Sequence, residues 1–473
     1  MKFKLFVISA VLLFSFLQIK AQDKAALLKS QIDQVLSDPF FESCIGAVKV
    51  YDLTGNTELY RRNDKLLLTP ASNMKVITSS AALIYLGENY KFVTPFYYTG
   101  EIKNGILEGD LFVKGAGDPL FKASDLDAAI SELAKKGVKE IKGALCGDIS
   151  LMDSMYWGQG WMWDDDPSTD APYLSPLTIN KNTLNVTITG GVAGDTPSVK
   201  LFPETPYFTV VNKARSVPYP VNDLAVTRNY VKFSNDVFIS GDIQPGYAAS
   251  YNINFREPEI VFLHIFKARL EKAGIKVAGD PAIRPLPEDA VYLTGVSRPL
   301  IEVIDDLNKV SANINAEMLL IAMGGKTKKS GISFSDGKKY IDSLIILTGM
   351  NPANYYISDG SGVSRYNLVT AELLTAILKY YYYSKPSLYP RLLNSFPIAG
   401  VDGTLRSRMT NTIAYQRVKA KTGTLSGVVS LSGYTTTLSG KTLAFSVILE
   451  NFVVRTNTAR SYIDRICEII TGY

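Results

Sequence analysis

Between Tyr90 and about Leu293 the sequence has a texture unlike the rest of the chain: short alternating strands broken by Gly, Pro and Asn, as in "GDLFVKGAGDPLF", "LNVTITGG" and "DVFISGDIQPG". The flanks read differently. Before this run come a helix ("AALLKSQIDQVLSD"), two strands ("IGAVKVYDL", "NTELYRRN") and an apolar helix beginning near Ser72. After it, helical periodicity returns in "LIEVIDDLNKVSANINAEMLLIAMGG" and "TAELLTAILKYYYY". The end of the chain then offers two alternating strands, "GVVSLSGYTT" and "KTLAFSVILENF", and a closing helix, "TARSYIDRICEIITGY". This pattern predicts an α/β multidomain chain in which one domain is split in sequence around a mostly β insertion of about 200 residues. The predicted parts are 22–88 and 294–473 for the split domain and 89–293 for the insertion, with a nested unit at about 186–250.

The first 21 residues carry the parts of a cleaved secretory signal: Lys2 and Lys4, an apolar run from Leu5 to Leu17, and Ala21 before Gln22. The run is too short for a membrane-spanning helix, which needs about 20 residues. Its removal takes three lysines and no acids, so the formal charge falls from +5 to +2, which gives no support to a nucleic-acid partner. Three cysteines, Cys44, Cys146 and Cys467, allow at most one internal disulfide. The lone histidine, His264, sits between apolar neighbours and reads as a core or strand-face residue. A His-rich or Cys-rich metal centre is therefore nearly excluded, and no metal or organic cofactor is expected.

In "TPASNMKVITSSAALIYLG" Ser72 precedes Lys75 by three positions in an otherwise apolar helix, which puts both on one face. Pro70 suits the first turn, and the helix N-terminus favours negative charge developing near Ser72. A desolvated lysine loses its proton easily and can then serve as a base for the serine. The plain structural alternative is that Ser72 caps the helix and Lys75 snorkels. A second serine and lysine pair, Ser335 and Lys338, falls in "SFSDGKK", where Asp and Gly favour a loop. Two further stretches supply polar groups: Ser311 and Asn313 in a turn before an apolar helix, and Lys421, Thr422, Gly423 and Thr424 leading into a strand. Ser250 to Asn252 and Lys329 to Gly331 repeat these patterns in the β insertion and in a polar loop. Only the set Ser72/Lys75, Ser311/Asn313 and Lys421/Thr422/Gly423 combines chain order with helix or strand context; SxxK, S-x-N and KTG elements in this order mark penicillin-binding proteins and class A β-lactamases.

With these motifs the chain resembles the D-alanyl-D-alanine carboxypeptidase/endopeptidases of the class C (type 4) penicillin-binding proteins. In that family, extra domains interrupt a transpeptidase-like, β-lactamase-like domain between the SxxK and SxN motifs. Here Ser311 follows Lys75 by 236 positions. Further matches are "GDLFVKGAGDPLF", "GWMWDDDPSTDAPYLSPLTINKN", "SDGSGVSRYN" and "FPIAGVDGTLRSRM". The resemblance implies Ser72 as acylated nucleophile, Lys75 as its proton acceptor and Ser311 as a proton shuttle that bridges Lys75 and the leaving amine. Asn313 would bind the substrate backbone, while Lys421, Thr422 and Thr424 would hold its terminal carboxylate. Gly423 would let the bound peptide approach the strand. The implied substrates are peptidoglycan stem peptides, with β-lactams as inhibitors, no nucleic acid, no membrane segment after signal cleavage, and a periplasmic location. A β-lactamase and a non-catalytic wall-binding or β-lactam-binding protein are the competing readings. Asp359 to Gly362 read as a structural turn, and Trp157, Trp161 and Trp163 as a substrate wall or as packing between domains.

Overall fold

The computed structural model describes residues 24–229 and 232–473; the expected signal segment 1–21 lies outside the described residues. The architecture centres on an antiparallel five-stranded sheet made from the two ends of the chain. Its strands are β1 (Ile45–Asp52), β2 (Thr57–Arg62), β3 (Val418–Leu425), β4 (Val428–Thr436) and β5 (Thr442–Glu450), in the order β2-β1-β5-β4-β3. β1 pairs with β5 from Ile45 opposite Glu450 to Asp52 opposite Leu443.

Helices cover both faces. On one side, a helix at 24–35 and the closing helix Thr456–Gly472 pack Leu28, Ile32, Ile463 and Ile466 against Val48, Val50, Leu431 and Phe445. On the other lie α1 (Met74–Tyr85), α2 (Leu300–Lys309), α3 (Asn313–Gly324), α4 (Phe334–Leu347) and α5 (Ala371–Ser384), whose apolar faces share one core with Ala47, Ala444 and Ile448. β4 is buried over all but its last residue, so its alternation does not mark a wet face. Its polar residues, Ser430 and Ser432, instead meet the start of α1: Ser430 Oγ donates to the Pro70 carbonyl at 2.7 Å.

The run after α1 enters through a strand, Lys91–Tyr98, and returns through Val291–Pro299; the two pair antiparallel from Val291 opposite Tyr98 to Pro299 opposite Lys91. Between them, two helices, Asp127–Lys135 and Pro258–Lys272, pack on a second five-stranded sheet, with smaller sheets beyond. His264 lies on the second of these helices, not on a strand, half-buried with its ring 4.7 Å from that of Tyr207. All three cysteines are buried and free. No described helix is long and apolar enough to cross a membrane.

Ser335 and Lys338 correct the loop expectation, because both lie on α4, capped by Ser333. Gly337 is accommodated there since α3 passes so close that a Cβ would meet the Leu320 carbonyl at 2.2 Å. Lys338 pairs with Asp342 at 2.8 Å and Ser335 with Ser333, so the two do not contact each other.

Candidate active site

Ser72 sits in a 3-10 turn, Ala71–Asn73, that runs directly into α1. The turn is strained: Ala71 has φ +48°, a conformation uncommon for residues other than glycine. Three structures hold it. Ser430 takes the Pro70 carbonyl. Asn73, fully buried, fits with its amide nitrogen toward the Lys421 carbonyl at 2.7 Å and its oxygen toward Ser432 Oγ at 2.8 Å. Gly362, with φ +86°, lies so close that a Cβ on it would stand 1.9 Å from the Ala71 carbonyl oxygen. Gly423 has a similar part. Its missing side chain leaves room for Pro70 and Ser72, which a Cβ would meet at 2.8 and 3.0 Å. The absence of a side chain at Gly423 thus serves the close packing of the serine turn itself.

Lys75 is completely buried, one turn along from Ser72. Its Nζ lies 2.9 Å from Ser72 Oγ, 2.5 Å from Asn313 Oδ1 and 2.6 Å from the Ser361 carbonyl. Burial pushes the ammonium down to about 8, and the carboxylates of Asp359, Glu317 and Asp170 oppose a further fall. Three acceptors suit three N–H donors of the charged form. Once neutral, the amine has two donors and a lone pair, and the Ser72 hydroxyl can turn and donate to it.

Ser311 sits in the break between α2 and α3 at φ +65°. Its hydroxyl accepts from Lys421 Nζ at 2.9 Å, so its partner is Lys421 and not Lys75. Asn313 opens α3; besides taking Lys75, it donates one amide hydrogen to the Asp170 carbonyl at 2.6 Å, leaving one hydrogen for a ligand. Lys421, on the edge strand β3, is also fully buried, and Nζ also donates to the Thr422 carbonyl at 2.7 Å. Burial first, and Lys75 second, hold its ammonium well below the usual lysine range. A carboxylate arriving nearby would restore its charge. Thr422 shares a hydrogen bond with Thr404, and Thr424 accepts from Arg460 Nη2 at 3.0 Å.

Ser72, Ser311, Asn313, Thr422 and Thr424 line one cleft of about 630 Å³, shared with Arg408 and Arg460 on one side and with Asp165 and Asp170 of the turn-rich aromatic stretch on the other. The structure therefore brings all three motifs together. That aromatic stretch is fastened to the split sheet domain through Trp161, whose Nε1 donates to Asp359 Oδ2 at 2.9 Å. Trp161 is buried and packs, whereas Trp163 is 81% exposed. Asp359 also accepts from the backbone N–H groups of Gly362 and Ser364 and from Asn367, the bonding of a structural turn. Two groups escaped the sequence reading: Asn73 inside the SxxK segment, and Glu317, buried one turn beyond Asn313, whose carboxylate accepts the Gly360 and Ser361 N–H groups at 3.1 and 2.9 Å. The available signal was polarity alone, an acid in the apolar run "NINAEMLLIAM".

The chain is 32% identical over 443 residues, 89% of its length and 80% of the relative's, to the D-alanyl-D-alanine carboxypeptidase of Actinomadura sp. (strain R39). Its structure is similar to the crystal structure of penicillin binding protein 4 (dacB) from Haemophilus influenzae, with TM-score 0.79 and 26% identity over 94% of this chain and 99% of that one. It is likewise similar to the same Haemophilus protein complexed with a novel β-lactam, with TM-score 0.75 and 25% identity over 93% and 98% of the two chains. Residues 28–471 match the model of a peptidase family, and the chain accordingly belongs to the D-Ala-D-Ala carboxypeptidase 3 (S13) family.

Proposed function

We propose that the protein is a serine-type D-Ala-D-Ala carboxypeptidase, DD-endopeptidase or both, acting on peptidoglycan stem peptides through an acyl-enzyme on Ser72. The observation that carries this reading is the desolvated amine of Lys75, buried 2.9 Å behind the Oγ of Ser72, which lines one cleft with Ser311, Asn313, Thr422 and Thr424. Neutral Lys75 takes the hydroxyl proton as Ser72 attacks the peptide carbonyl between two D-alanines. The oxyanion is received by the backbone N–H groups of Ser72 and Thr424, one such donor being worth roughly 3–4 kcal/mol in acyl transfer. Ser311 gives its hydroxyl proton to the departing amine and takes a replacement from the Lys421 ammonium 2.9 Å away, whose charge the bound carboxylate restores; water then releases the acyl group. Thr422, Thr424 and Lys421 take the terminal carboxylate, supported by the guanidinium groups of Arg408 and Arg460, while Asn313 uses its remaining amide hydrogen on the substrate backbone.

The transpeptidase-like unit is assigned to 22–88 and 294–473 and the inserted domains to 89–293, the nested unit at about 186–250 included. Cleavage of segment 1–21 would place the protein in the periplasm. β-Lactams would acylate Ser72, as the β-lactam complex of the Haemophilus relative supports. Incubation with labelled penicillin and, separately, with a peptide ending in D-Ala-D-Ala tests the reading. Slowly released label together with free D-Ala is the expected result, and Ser72→Ala should abolish both. Label without product would mark a non-catalytic binder; rapid destruction of the antibiotic would mark a β-lactamase.

A further inference from the structure

Asn313 and Glu317 are four positions apart on α3 and so share one face of it. Asn313 touches Lys75 directly; Glu317 reaches the same amine at one remove. Its two carboxylate oxygens accept the Gly360 and Ser361 N–H groups, and the carbonyl of Ser361 accepts from Lys75 Nζ at 2.6 Å. Thr78, on α1 with Lys75, fixes the same dipeptide from the other side through the Gly360 carbonyl at 2.7 Å. Glu317 is only 5% exposed, and its hydrogen-bond donors are backbone groups. A leucine or methionine would fill such a helix position without the desolvation cost of a carboxylate. The acid is thus costly for packing and well placed for Lys75.

We propose that Glu317 is a positioning residue for the Ser72 and Lys75 pair: it locks the Gly360–Ser361 peptide that orients the amine and, through its own charge, governs when that amine gives up its proton. The proposal rests on Lys75 being the proton acceptor. The charged groups around Lys75 and Glu317 are Asp359 from the turn, Asp170 from the insertion and Lys421 from β3. Burial, with Asp359 adding to it, pushes the Glu317 carboxyl up to about 8, and Lys75 is pushed down to about 8. Two neighbours that change charge over one pH range titrate as a pair.

The test measures penicillin acylation of the full chain from about pH 6 to about pH 10 in wild type, Glu317→Gln and Glu317→Asp. Glutamine cannot acquire the negative charge that Glu317 takes on over this range and that holds the proton on Lys75, so the rising limb should move to lower pH by about one unit. Its plateau should drop about tenfold as the turn loosens. Aspartate keeps the charge, and its limb should stay at the wild-type position while its plateau falls. A Glu317→Gln limb that does not move overturns the proposal whatever its plateau. Should Glu317→Gln fail to fold, infrared difference spectra of the wild type decide: a buried protonated-carboxyl band should vanish over the pH range in which acylation rises, and its absence throughout overturns the coupling. Near-normal acylation by Lys75→Arg would instead defeat the base assignment itself. Collapse of Lys75→Arg with an unmoved Glu317→Gln limb would defeat only the role given to Glu317.

Discussion

Gly362→Ala isolates how much of the reactivity of Ser72 depends on the tightness of its turn. The new Cβ would lie 1.9 Å from the Ala71 carbonyl oxygen and 2.5 Å from its carbon, whereas ordinary contact begins at 3.4 Å. Because the obstacle is backbone, no side-chain rotation relieves it; the two turns must part by about 1.5 Å, in a class of overpacking that costs about 1–3 kcal/mol. The φ of +86° adds about 1–2 kcal/mol for any L-residue with a Cβ. The sum, about 2–5 kcal/mol, should lower the melting temperature by several degrees. Acylation should suffer more, since a displacement of about 1 Å at a reacting group costs about a hundredfold. Gly87→Ala is the matched control: its φ of +83° carries the same backbone strain, but nothing lies within 4 Å of the added carbon. It should melt slightly earlier and acylate at the wild-type rate. Fluorescent-penicillin labelling kinetics with thermal melts of both variants would check this. If Gly362→Ala acylates within about threefold of wild type, the tightness of this turn does not set the reactivity of Ser72.

Lys75→Arg keeps the charge but cannot release a proton, so acylation should fall by about a thousandfold while the protein still melts cooperatively; quantitative labelling gives the answer. Because the neutral amine is the active form and burial sets its midpoint at about 8, wild-type acylation should be slow near neutral pH, rise through about 8 and level off above it. A rate that declines over this range would contradict the sign. Trp161→Phe deletes the indole donor to buried Asp359 and should destabilise by about 1–2 kcal/mol, seen as an earlier melt, with weaker seating of the 157–175 stretch on the cleft.

Much of the architecture was legible because the relevant signals are local. The helix start at Pro70, the break between α2 and α3 at Ser311, and the two terminal strands each announce themselves within a few residues of sequence. What escaped depends on contacts across hundreds of positions. Nothing near Ala71 predicts its positive φ, and the groups packed against that turn, Gly362 and the Ser430 hydroxyl, lie hundreds of positions away. The alternation in "GVVSLSGYTT" is real, but its polar face meets a helix N-terminus rather than water, and periodicity cannot distinguish the two. The closeness of Gly423 to Pro70 and Ser72 is likewise a contact across hundreds of positions. Lys421 reads as a fixed positive charge until its complete burial beside a second lysine is known. Glu317 was invisible because an acid on an apolar helix becomes informative only when the opposite turn can be seen.

The sheet that carries the site is stitched from the first and last parts of the chain, and this has a consequence for biogenesis. The hairpin at 45–62 exists early, yet its inner edge stays unpaired until residue 450 arrives, and the walls of the Ser72 turn come from residues 362, 423 and 430. Closing contacts of such long sequence separation is slow and leaves strand edges exposed in the meantime. A nascent or truncated chain therefore carries its serine and lysine unassembled, chemically silent toward penicillin until nearly the last strand is in place.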